Sequence, residues 1–94
     1  MEALNKEIIN VFKAIADESR ISIIKLLSEG ESCACGLLER LSLSQPTLSH
    51  HMKVLCESGV VVSRKEGTWV FYTLAPDFKE KICGYIDELL KPAE

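Results

Sequence analysis

The chain has 94 residues, 47% of them hydrophobic and 27% charged, with a formal net charge of −3. That suffices for one small soluble domain over residues 1–94 and no second one. It contains no apolar run of the roughly 18 residues a membrane helix needs, and Met-Glu-Ala-Leu-Asn-Lys is no secretory leader.

A cytoplasmic protein without membrane contact is therefore expected, with its four cysteines as free thiols rather than a disulfide framework. A domain this small buries little core, so self-association would help it. Segment 40–73 holds four basic and two acidic residues, and the remainder seven and twelve. A mildly basic middle between acidic ends fits one face turned toward a polyanion.

Leu4, Ile8, Val11, Phe12 and Ile15 recur at helical spacing and predict a first helix over about 3–16. Asp17 is suited to cap a second helix, with Ile21, Ile24 and Leu27 inward and Gly30 as its stop. Ser32 can cap a short third helix carrying Leu37, Leu38 and Leu41. After Ser42-Leu43-Ser44, Ser44 caps a fourth helix that tolerates Pro46 in its first turn. Leu48, Met52 and Leu55 share its inner face, and Gly59 ends it. From Val60 the pattern turns β-branched and aromatic around Lys65-Glu66-Gly67, predicting a hairpin with Trp69 and Tyr72 in its core. Pro76 opens a last helix over about 77–91, with Phe78, Ile82, Tyr85, Ile86 and Leu89 as its apolar stripe.

Two short helices in tandem followed by a hairpin predict a mainly α fold with a β-hairpin, a winged helix-turn-helix. The helix-turn-helix falls at about 33–58 and the wing at about 60–74. With Leu48 inward, the outer face of the fourth helix carries hydroxyls, an amide and imidazoles but no carboxylate in its first half. Such groups can bond base edges and phosphates in a major groove. Gln45, Thr47, Ser49 and His50 are the candidates for base edges, with His51 beside them at the edge of the apolar face. Lys53, Arg64 and Lys65 are the candidates for phosphate. Neither a glycine-rich phosphate loop, a nucleophile elbow nor a Cys-x-x-Cys pair is present, so the chain is read as a regulator and not an enzyme. The acidic total leaves open a winged helix that binds protein rather than DNA.

The segments VFKAIADESRISIIKLL, ESCACGLLERL, LSQPTLSHHMKVLCESGVV and RKEGTWVFYTL together resemble the ArsR/SmtB family of metal-responsive repressors. The resemblance runs from about Val11 to Leu74. It implies a homodimer joined through the first and last helices. It also implies binding to a double-stranded operator with an inverted repeat, and release on binding an effector. Within that family, ESCACGL is similar to the arsenic-sensor motif Glu-x-Cys-Val-Cys-Asp-Leu, which a third cysteine follows directly. Cys33 and Cys35 take its first two thiol positions, Gly36 replaces the aspartate, and Leu38 stands at the third thiol.

The implied effector is trivalent arsenic or antimony, as arsenite or antimonite, held by Cys33 and Cys35. Cys56 or Cys83 is a possible third ligand. The alternative is another soft metal, an oxidant or a reactive sulfur species sensed through thiols; some relatives use a thiol on the third helix with one on the last, which draws in Cys83. The last helix has no histidine for the family's zinc site. Thiolates suit soft ions, and a helix start lowers a cysteine's pKa. If Cys33 and Cys35 both lie on a regular helix, they stand about 200° apart. Joint ligation would then have to unwind the first turn, and the strain would disturb the reading helix.

Overall fold

The computed structural model describes residues 2–92; Met1, Ala93 and Glu94, which the span 1–94 includes, lie outside the described residues. The elements run α1 (Glu2–Ile15), α2 (Glu18–Leu27), β1 (Ser32–Cys33), α3 (Ala34–Arg40), α4 (Gln45–Glu57), β2 (Val61–Glu66), β3 (Trp69–Leu74) and α5 (Phe78–Leu89). Among the described residues no helix is long and apolar enough to cross a membrane.

Local signals set most of the boundaries. Asp17 is extended and its carboxylate accepts from the Arg20 N–H at 3.1 Å, which satisfies an otherwise unpaired donor at the start of α2. The Ser44 hydroxyl accepts from the Thr47 N–H at 3.3 Å and caps α4. Gly59 leaves α4 with φ +81°, where a side chain would be strained.

Ile8, Val11, Ile23, Leu27, Leu37, Leu48, Met52, Leu55, Val60, Val61 and Tyr85 form one buried cluster to which all five helices contribute. The inner face of α4 is Leu48, Met52 and Leu55, as its spacing predicts.

Four expectations are corrected. Ser32 does not cap α3; it lies in β1, and Cys33 is the cap. β1 is a strand that the sequence did not announce. It adds to the free edge of β3, giving the antiparallel order β1-β3-β2. In α2 the core takes Ile23 and Leu27, one turn apart on a single face, while Ile21 is 45% exposed. Trp69 is not wing core: beside the hairpin turn it is 57% exposed, whereas Tyr72 packs on the core cluster.

The apolar stripe of α5 divides. Phe78, Ile82 and Tyr85 pack on the core, while Ile86, Leu89 and Leu90 stay exposed, as does Ile9 on α1. The Cα radius of gyration is 14.6 Å, against about 13 Å for a compact chain of 100 residues. Hence this subunit presents apolar helix faces instead of folding them away.

Candidate thiol site and DNA-facing helix

Cys33 has φ −78° and ψ 161°, extended values, and stands just outside α3. Its side chain is therefore not bound to helical spacing. The Gly36 N–H donates to Cys33 Sγ at 3.2 Å, so sulfur does the work an oxygen does at most helix starts. Cys35 lies in the first turn. The two sulfurs meet at 2.6 Å, which overturns the expectation that they face opposite sides of a helix. No unwinding is needed to bring them together.

A Cβ at Gly36 would stand 2.9 Å from Ser32 Oγ and 3.5 Å from Cys33 Sγ, so the glycine leaves room for this arrangement. The hydrogen bond from the Cys35 thiol, helped by the Gly36 N–H, lowers the pKa of Cys33. Cys35, the donor in that bond, is shifted upward, and burial and the neighbouring Cys33 charge add to the shift. The shared hydrogen bond thus moves the two thiols in opposite directions, Cys33 down and Cys35 up.

The other two cysteines stand elsewhere. Cys56, on α4, lies beside Ser63 and Tyr72, and burial raises its pKa. Directly paired residues share a sheet face, and neighbours along a strand alternate. Ser32, Tyr72 and Ser63 form one row across the sheet, and Cys33, Phe71 and Arg64 the next, so Cys56 borders the face opposite Cys33. Cys83 lines an apolar groove between α2 and α5 with Ile15, Ile21, Ile24 and Ile82. Among the described residues no three of His, Cys, Asp and Glu come close enough to hold a metal ion. Neither Cys56 nor Cys83 therefore completes a site with Cys33 and Cys35 in this subunit.

The row through Cys33 leads to the wing. Cys33 pairs with Phe71, and Phe71 with Arg64. The Arg64 guanidinium sits 4.7 Å over the Phe71 ring. It donates to both oxygens of Glu31, at 2.8 and 3.3 Å, and contacts Glu66 at 2.6 Å. These carboxylates, Glu31 first, raise its pKa. The candidate phosphate ligand is thus held by two acids of its own chain. Sequence reasoning passed over Glu31 and Phe71 as parts of the site, although Glu31 opens the motif that contains both thiols.

On α4, Gln45, Thr47, Ser49, His50 and Lys53 are all exposed, and Lys65 is exposed on β2. The Thr47 hydroxyl accepts from Ser44 Oγ at 2.9 Å, which fixes its direction. His51 does not join this face. Its side chain is only 12% exposed, with Nδ1 3.1 Å from Arg20 Nη1 and 4.0 Å from Asp17 Oδ2. A guanidinium can only donate, so Nδ1 is the acceptor. Arg20 Nε also donates to the Ala14 carbonyl at 2.6 Å. His51 therefore fastens α4 to the start of α2, an anchoring task rather than a base contact.

The family described as bacterial regulatory protein, arsR family, matches residues 17–63. The arsenical resistance operon repressor of Escherichia coli is 47% identical over 81 residues, covering 85% of this chain and 69% of its own length. That of Staphylococcus xylosus is 46% identical over 82 residues, covering 87% and 79%. Among solved structures, the homodimeric winged helix-turn-helix DNA-binding domain Mb0332 of Mycobacterium bovis superposes with a TM-score of 0.78 at 27% identity. That match covers 94% of this chain and 86% of the other.

Proposed function

The chain belongs to the arsR family of bacterial regulatory proteins, and we propose that it is a homodimeric cytoplasmic repressor that leaves its operator when trivalent arsenic or antimony binds Cys33 and Cys35. It is a winged helix-turn-helix transcriptional regulator of a family whose members are regulators and not enzymes. The observation that carries the effector proposal is the convergence of two soft sulfurs, 2.6 Å apart, at the start of α3. Sulfur donors without carboxylate or imidazole select thiophilic ions. The arsenical resistance repressors among its relatives support that choice. Cys33 and Cys35 would hold the ion, and bonding to sulfur is the chemistry it would supply.

Coupling to DNA follows from where Cys33 lies. It belongs to β1 and also caps α3, so a displaced sulfur moves two things at once. Through Leu37 and Leu38, α3 packs on the cluster that seats α4. Through Phe71 and the Glu31–Arg64 pair, β1 reaches the wing. Both DNA-facing elements then shift without any unwinding of α3.

Gln45, Thr47, Ser49 and His50 would meet base edges, and Lys53 and Lys65 phosphates. Two copies joined through α1 and α5, over Ile9, Ile86, Leu89 and Leu90, would set two α4 helices in successive major grooves of an inverted repeat. The half-sites would lie about 10 base pairs apart or a multiple of that. Operator affinity measured against salt tests the DNA reading. Binding to a duplex selected from a random pool should fall with a log–log slope of about −3.6 if Lys53 and Lys65 of both subunits meet phosphate. If Arg64 also lets go of Glu31 to do so, the slope steepens to about −5.4. Absence of duplex binding at low salt would favour a protein-binding module.

A further inference from the structure

We propose that Cys33 and Cys35 form a reversible dithiol–disulfide couple, oxidised by small disulfides, and that the oxidised pair refuses the thiophilic effector. The first half stands on geometry alone; the second rests on the effector reading above.

The sulfurs are free thiols 2.6 Å apart. A disulfide bond is about 2.05 Å long, so a small approach closes it. Cys33 is extended and outside the helix, so its side chain is not held to helical spacing and meets Cys35 while it caps α3. Cys35 is exposed and Cys33 partly so, and Gly36 puts no side chain beside Cys33 Sγ. A reagent can therefore reach Cys33. The other cysteines are set apart, Cys56 across the sheet and Cys83 in the groove between α2 and α5.

The chemistry is two exchanges. The Cys33 thiolate attacks one sulfur of a small disulfide; a new S–S bond forms, the reagent's S–S bond breaks, and one thiolate departs. Cys35 then gives up its proton, and its thiolate attacks Cys33 Sγ. The Cys33–Cys35 bond forms, the mixed disulfide breaks, and the second thiolate departs. The chain loses two electrons and two protons, and the small disulfide becomes two thiols. Both sulfurs are then used up and no thiolate remains for a soft ion.

The test treats the reduced full chain with glutathione disulfide, quenches in acid, alkylates and maps the products by mass. Before alkylation the expected product is lighter than the reduced chain by two hydrogens; after it, Cys33 and Cys35 stay unlabelled in one peptide while Cys56 and Cys83 are alkylated. Dithiothreitol should restore all four thiols. Cys35→Ser, checked by circular dichroism for its fold, should stop at glutathione on Cys33. A double Cys56→Ser, Cys83→Ser variant should oxidise as the parent does. A parent that accumulates the mixed disulfide, or joins Cys33 to Cys83 or to another chain, overturns the couple. Oxidised protein that still binds arsenite overturns the second half. If the disulfide forms but reduced protein ignores arsenite, the effector reading falls and the couple stands.

Discussion

Arg64 of β2 reaches over the Phe71 ring and holds the Glu31 carboxylate at 2.8 and 3.3 Å, joining the wing to the residue that leads into β1. Cys33 is two residues further along. The thiol pair and the wing therefore share a strand pairing and an ion pair.

Glu31→Gln tests that link. Exposed ion pairs contribute at most about 1 kcal/mol, so stability should change by less than that. Arsenite binding to the thiols should persist, since Glu31 is not a ligand. The ratio of operator affinities without and with arsenite, which measures the coupling between the sites, should shrink several-fold. Fluorescence anisotropy of labelled operator with and without arsenite reads it directly. An unchanged ratio would mean that β1 and the wing carry no part of the signal.

Reactivity should separate the thiols. The pKa of Cys33 is lowered by the Cys35 hydrogen bond, while that of Cys35 is raised by the same bond and that of Cys56 by burial. At a given pH Cys33 thus has the larger thiolate fraction, and its reaction survives to lower pH. Timed alkylation with iodoacetamide, resolved by peptide mass, should label Cys33 ahead of Cys35 and Cys56 at neutral pH.

Much of this was legible in the residues. Asp17 and Ser44 cap because short acceptors suit helix starts, and Leu48, Met52 and Leu55 fall inward because their spacing permits one face only. The thiol geometry was not legible. Cysteine is outside the usual set of helix caps, so the residue pattern starts the third helix one residue early and gives both sulfurs helical spacing. A two-residue strand carries no periodic signal either; β1 exists because β3 offers an open edge, and that is a tertiary fact. Arg64 looked free for phosphate because Glu31 is 33 residues away in the chain. His51 sits at the edge of the apolar face, and only the packing of α2 against α4 turns it toward Arg20.

Asp17 should matter to stability in a pH-dependent way. Its pKa is lowered, chiefly by the Arg20 N–H, so the cap contributes above the ordinary carboxylate pKa and is lost as pH falls through the lowered value. Asp17→Ala should lower the melting temperature at neutral pH, because the Arg20 N–H loses its acceptor. Asp17→Asn should cost less. The gap between parent and Asp17→Ala should close in acid, as thermal unfolding followed by circular dichroism at several pH values would show.

In the proposed function Cys33 and Cys35 together turn effector binding into loss of DNA. Arsenite titrated into the operator complex, followed by anisotropy, tests it most directly, with the parent beside a double Cys33→Ser, Cys35→Ser variant. Full release of the parent is expected, beside a variant that binds operator as tightly but stays bound at every arsenite concentration. Release of the double variant at the parent's arsenite concentration would contradict it.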